Sequence, residues 1–259
     1  MSRNRRPSAS DRGPRVGATT PPQPLRVDAV DALRGLALCL MIGYHFCFDL
    51  RHFGWLAADF EHDLFWLGLR ALILSTFMAL VGVSLVLADR AGQEPAHFRR
   101  RLGAVAACAA LVSAASYVVF PQSFIYFGVL HCIVVATLIA RPLVRRPWPA
   151  LALGAAMVAA GNFVAAPLFD APVLSFIGLR TVKPLTEDYV PLLPWAGVTL
   201  LGVALATRSL TPRNAAALAR LRPPRLLGWM GRHSLAIYMA HQPLLLGALW
   251  LVNRTIGTR

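Results

Sequence analysis

The sequence is poor in charge and poorer still in acid. Only 15% of its 259 residues are charged, against about 25% in a soluble domain, and Asp and Glu together number 12. With 56% hydrophobic residues and a mean hydropathy of +0.55, that scarcity points away from a water-soluble enzyme and towards a multi-span membrane protein. Lysine is almost missing: Lys183 stands alone and the other 25 of the 26 cations are Arg. Cysteine is scarce too, and Cys39, Cys47, Cys108 and Cys132 sit in apolar runs without the paired spacing of a zinc site or a secreted disulfide framework. They read as small buried residues. No H-x-x-x-H or carboxylate cluster accompanies the histidines, so no metal is expected. Internal repeats are also lacking, which counts against a transporter built from duplicated halves.

What the chain does have is long apolar runs. They fall at about 30–50, 64–88, 102–120, 123–141, 149–169, 189–207 and 232–252, each near the roughly 20 residues needed to cross a bilayer. The runs are nearly continuous rather than alternating, which selects helices over a barrel. The expected fold is all-α, a polytopic bundle of about seven transmembrane helices. Nineteen Arg precede the first run or follow the second, fourth and sixth, whereas only Arg51, Arg180, Lys183, Arg254 and Arg259 fall on the other side. This asymmetry places the N-terminus in the cytoplasm and the C-terminus outside. The net charge of +14 would suggest nucleic acid as the partner of a soluble protein. Here it sorts loops, and the expected partner is membrane lipid rather than nucleic acid. Residues 1–26, rich in Ser, Pro, Gly and Arg, read as a disordered basic cytoplasmic tail before a membrane domain at 27–259. The first run is too long for a signal peptide, carries Arg34, and has no A-x-A-like cleavage site after it.

Ionisable groups inside spans are costly, so each is a candidate for function. The first span is the densest, with Asp31, Arg34, His45 and Asp49. At 100° per residue Arg34 and His45 share a face, about 20° apart in azimuth and roughly 16 Å apart along the axis. Asp31 lies three residues before Arg34 and Asp49 four after His45, within helical reach of each cation. Arg34 snorkelling to the inner headgroups accounts for the arginine but not for an aligned imidazole deep in the span. An anionic ligand held by Arg34 could instead stretch along the helix and present its reacting end to His45, and coenzyme A has that shape. In the last span Ser234, Tyr238 and His241 share a face at i, i+4 and i+7, with Gln242-Pro243 marking a kink. Arg70 lies inside the outer end of the second span, where Asp49 is its natural partner. His131 and His241 each read equally well as core histidines bonded to a neighbouring helix or as catalytic groups.

Five stretches now carry a resemblance: V-D-A-L-R-G-L-A-L-C-L-M-I-G-Y-H-F-C-F-D-L, L-V-G-V-S-L, Y-F-G-V-L-H-C-I, D-Y-V-P-L-L-P-W-A-G-V and G-R-H-S-L-A-I-Y-M-A-H-Q-P, in that order. Across about 27–252 the chain resembles small bacterial proteins grouped with the heparan-alpha-glucosaminide N-acetyltransferase catalytic domain. Its first span also looks like that of the membrane acyltransferase-3 proteins. The resemblance implies an integral-membrane acyltransferase of the bacterial inner membrane that takes acetyl or another acyl group from cytoplasmic acetyl-CoA or acyl-CoA and delivers it to an extracytoplasmic saccharide. In that reading His45 is general base or transient acyl carrier, Asp49 orients it, and Arg34 binds the donor phosphates. Arg70, His131, Trp195, Ser234, Tyr238 and His241 are candidates to line the pocket. The R-H-F-G-W stretch aligns His52 best with the histidine of the eukaryotic lysosomal enzyme, which makes His52 the alternative catalyst. A transporter or flippase, or a non-enzymatic membrane subunit, is the competing function. A transporter would usually show Gly/Pro-broken helices in symmetric positions, and a structural subunit has no need of Arg34 and His45 in phase.

Sidedness is directly testable. Cysteine labelling at Asp59, Lys183 and Thr258 is expected to find all three outside, and an inside Thr258 means an even number of crossings.

Overall fold

The computed structural model describes residues 27–256, so the expected tail at 1–26 and the last residues, 257–259, lie outside the described residues. The described chain forms α1 (Asp28–His52), α2 (Leu64–Arg90), α3 (Pro95–Val119), α4 (Val129–Ala140), α5 (Pro147–Phe163), α6 (Leu192–Ser209), α7 (Pro212–Arg220), α8 (Arg225–Arg232) and α9 (Ser234–Ile256). Short 3-10 turns follow α4 and punctuate the segment between α5 and α6. Among the described residues there is no strand, and the all-α bundle stands.

Local chemistry sets the helix starts. Asp63 accepts the Phe65 N–H at 2.8 Å and caps α2, while Pro95 and Pro147 open α3 and α5, where a missing N–H costs nothing. In the P-L-L-P-W stretch Leu193 leaves helical geometry (φ −101°, ψ 129°), which breaks the first turn of α6 at the prolines.

Five helices, α1, α2, α3, α6 and α9, are long and apolar enough to cross a membrane. The expected spans at 123–141 and 149–169 contain only α4 and α5, about 18 and 26 Å long against roughly 30 Å of hydrocarbon. The reason for the first shortfall is visible on α3. Ser116 Oγ accepts the Ile125 N–H at 2.9 Å and Ser113 donates to the Ile125 carbonyl at 2.6 Å, so α3 satisfies a non-helical backbone before α4 begins. The arginine-rich connection between the sixth and seventh apolar runs contains α7 and α8.

The connections gather at two ends. At one, Asp89 pairs with Arg145 at 2.8 Å and Arg141 at 3.7 Å, and Arg90 donates to the Thr207 carbonyl at 2.8 Å and to that of Leu210. At the other, Lys183 pairs with Glu61 at 3.3 Å and Ser123 donates to Glu187 at 2.5 Å.

The core centres on α6, whose Ala196, Leu200 and Val203 are fully buried. Hydrocarbon does not drive helices together as water does, so close backbone approach has to be built in with small residues. A Cβ on Gly82 would lie 2.1 Å from the Thr199 carbonyl oxygen, and one on Gly202 would lie 2.3 Å from that of Ala79. The two glycines thus let α2 and α6 touch backbone to backbone. Gly202→Leu is expected to cost about 1–3 kcal/mol by overpacking and to lower the thermal unfolding midpoint in detergent. Gly43→Ala, where a Cβ meets nothing within 4 Å, should leave the midpoint unchanged or raise it.

Candidate functional site

The polar face of α1 meets the structure at two levels. Near its N-terminal end Arg34 donates from Nη1 to Asp31 Oδ1 at 2.8 Å and to the Gly231 carbonyl at 3.3 Å, and from Nη2 to Ser84 Oγ at 2.7 Å. The Ser84 hydroxyl in turn donates to the Leu80 carbonyl at 2.6 Å. One guanidinium therefore ties α1 to α2 and α8. Arg101 of α3 lies within electrostatic reach of both Arg34 and Asp31.

Three turns further along α1, His45 is half-buried with its ring edge-on to that of His241 of α9, centroids 5.1 Å apart. His241 Nδ1 sits 2.5 Å from the Tyr238 carbonyl oxygen. A carbonyl can only accept, so Nδ1 carries the hydrogen, and in the neutral ring Nε2 is a bare lone pair. That nitrogen is buried and has no protein partner. Also between α1 and α9, Asp49, only 2% exposed, accepts from Gln242 Nε2 at 2.9 Å through Oδ1. Its Oδ2 and Gln242 Oε1 are likewise buried without partners. His241 Nε2, Asp49 Oδ2 and Gln242 Oε1 are all acceptors. The α1–α9 seam thus carries three buried acceptor atoms that the protein leaves without donors, together with a pair of imidazoles, an arrangement suited to a group rich in O–H or N–H.

The expected partners of Asp49 were His45 and Arg70, whereas the structure gives its bonded oxygen to Gln242. Arg70 acts electrostatically on Tyr44 and Asp188 instead. Asp188, just before α6, accepts the Val129 N–H at 3.0 Å and caps α4. Burial raises its carboxyl above the ordinary value, and the Val129 bond and the Arg70 charge oppose that rise.

The other candidates separate by what they touch. His131 accepts the Gly128 N–H on Nδ1 at 3.3 Å, and Nε2 faces Ser113 Oγ at 3.2 Å. Nδ1 thus caps the start of α4 and Nε2 ties it to α3. Trp195 and Tyr238 pack in the apolar layer with Met78 and Cys132, although Tyr238 also brings its ring within 5.4 Å of His241. Ser234 opens α9, half-buried. His52, the last residue of α1, is exposed and lies against Phe53 at 5.5 Å. Ser84 and Gln242 were not singled out as site residues from the sequence. Both lie inside motifs quoted there, but their partners are 50 and 193 residues away, beyond any single-helix periodicity.

Among the described residues no group of three His, Cys, Asp or Glu side chains converges to hold a metal ion. An open cleft of about 420 Å³ lies at the arginine-rich end, lined by Val86, Asp89, Arg90, Val144, Arg145 and Thr207 rather than by Arg34 or His45.

Comparison with known proteins bears on the same helices. No curated protein and no solved structure matches the chain. The pattern that describes "Heparan-alpha-glucosaminide N-acetyltransferase, catalytic" matches residues 26–243, a stretch running from the start of α1 through Pro243 of α9 and so containing Arg34, His45, Asp49, His241 and Gln242. With most of its length matched, the chain belongs to the heparan-alpha-glucosaminide N-acetyltransferase catalytic family.

Proposed function

We propose that this protein is a multi-pass enzyme of the cytoplasmic membrane that transfers an acetyl or other acyl group from cytoplasmic acyl-CoA to a sugar or glycan on the far side. The observation that carries this reading is the cluster on α1 and α9, where three buried acceptor atoms lack protein donors beside His45 and His241. Buried acceptors without donors are costly unless a ligand completes them, and a hydroxyl or amine does so.

The donor enters at the arginine-rich end. Three of the five N–H donors of Arg34 are engaged by Asp31, Gly231 and Ser84, so Nε and the second hydrogen of Nη2 remain for phosphate oxygens. The pantetheine arm runs along α1 and brings the thioester to His45, roughly 16 Å away along the axis. His45 takes the proton of the acceptor hydroxyl or amine as that atom attacks the thioester carbonyl. The new C–O or C–N bond forms, the C–S bond breaks, and coenzyme A leaves as a thiolate that recovers the proton. Asp49 supplies the negative charge that favours the protonated imidazole, held in place by Gln242.

Two measurements test the roles. Isothermal titration of the purified protein with a non-hydrolysable acyl-CoA analogue is expected to show a large loss of affinity for Arg34→Ala and partial recovery for Arg34→Lys, which lacks the planar fork. Equal affinity for wild type and Arg34→Ala removes Arg34 from the donor site. For the chemistry, transfer from radiolabelled acetyl-CoA to glucosamine in membrane vesicles should fall about 10²–10⁴-fold in His45→Ala, with acyl-CoA binding retained. His52→Ala should stay near wild type. Activity that survives loss of His45 but not of His52 moves the catalyst to the end of α1.

A further inference from the structure

The segment that follows α6 has no role in the proposed chemistry, yet it is the most lopsided in the chain. From Arg208 to His233 it holds six arginines and no acid. Within it α8 turns one face inward. A Cβ on Gly231 would lie 1.7 Å from the Asp31 carbonyl oxygen, and one on Gly35 would lie 2.1 Å from that of Leu227, so α8 rests directly on the α1 backbone. The opposite face is open. Arg225, Trp229 and Arg232 follow i, i+4, i+7 and are all exposed, with Arg222 and Leu226 beside them. His233 lies over Trp229 at 4.8 Å, which steadies the indole at the end of the helix.

Carboxylates do not answer these arginines. Among the described residues Arg222, Arg225 and Arg232 form no ion pair, while Asp89 is engaged by Arg141 and Arg145. A surface that alternates guanidinium groups with an exposed indole and leucine suits neither water nor hydrocarbon alone. It suits the boundary between them, where arginine meets phosphate and Trp and Leu meet the upper acyl chains.

We infer that α8 is a binding element for acidic phospholipid, seated on the membrane surface at the arginine-rich end through Arg222, Arg225 and Arg232 with Leu226 and Trp229 inserted beside the headgroups. A free phosphate compound would satisfy the charges and leave the indole and leucine in water, so the lipid is the better complement. The seat has a consequence for α1, because the Gly231 carbonyl of α8 accepts from Arg34. Headgroups that hold α8 down also hold one of the contacts that orient Arg34.

Binding of soluble dioctanoyl phosphatidylglycerol and dioctanoyl phosphatidylcholine to the full-length protein in neutral detergent, read by thermophoresis, tests this without recourse to activity. Wild type is expected to bind the phosphatidylglycerol at least tenfold more tightly than the phosphatidylcholine, with the preference collapsing at high salt. Replacing Arg222, Arg225 and Arg232 together by Gln should weaken phosphatidylglycerol binding by about fivefold per arginine. The triple Lys replacement should retain most of it, and Arg180→Gln at the opposite end should change nothing. An unchanged thermal midpoint in phosphatidylcholine micelles shows that the Gln variant is folded. The inference is overturned if the two lipids bind equally, if the folded Gln variant keeps the preference, or if coenzyme A competes with phosphatidylglycerol at equal phosphate concentration. The last result would make the arginines a donor-phosphate site. A protein that keeps the lipid preference but transfers no acyl group would overturn the proposed function and leave this inference standing.

Discussion

The polar groups that α1 turns inward have to be answered within the protein, because hydrocarbon answers nothing. This requirement chooses the neighbours of α1. Arg34 is answered by Ser84 of α2 and the Gly231 carbonyl of α8, while Asp49 is answered by Gln242 of α9. Lying between these two tethers, His45 is brought against His241. The same rule gives the acceptor atoms left over their meaning. Where the protein supplies no donor to a buried carboxylate oxygen, amide oxygen and imidazole nitrogen, a ligand or ordered water must.

Around that polar seam the remaining helices serve as a frame with little chemistry of its own. Backbone contact between α2 and α6 at Gly82 and Gly202 fixes the position from which Ser84 reaches Arg34. On α3, Ser113 and Ser116 hold the backbone before α4, and His131 completes that arrangement. A histidine in a span is thus not of one kind. His131 has both nitrogens engaged in structure, whereas His241 has one anchored and one free of protein partners. The distinction depends on what lies across the helix interface and has no counterpart in composition or spacing.

The sequence by itself determined the class of the protein, because hydropathy and the sorting of arginines are additive properties of short windows. The apolar runs forecast the five long helices to within a few residues or a turn or two. The 3.6-residue period of α1 placed Arg34 and His45 on one face, and the motifs in order along the chain pointed to the family. Where expectation and structure part, the cause is non-local. The apolar run at 123–141 yields only α4, shorter than a span, because serines on α3 stabilise a backbone that a window reads as helical. The arginine-rich connection after the sixth run contains α7 and α8, where α8 meets α1 through Gly231 and Gly35. The partner of Asp49 was read within reach along α1 or on α2, and it is Gln242, 193 residues away. Periodicity reports which residues share a face. Which face meets which is settled only when glycine-lined backbones close on one another and buried donors find their acceptors, and that pairing, made by tertiary packing, is what sets the polar residues of α1 against α2, α8 and α9.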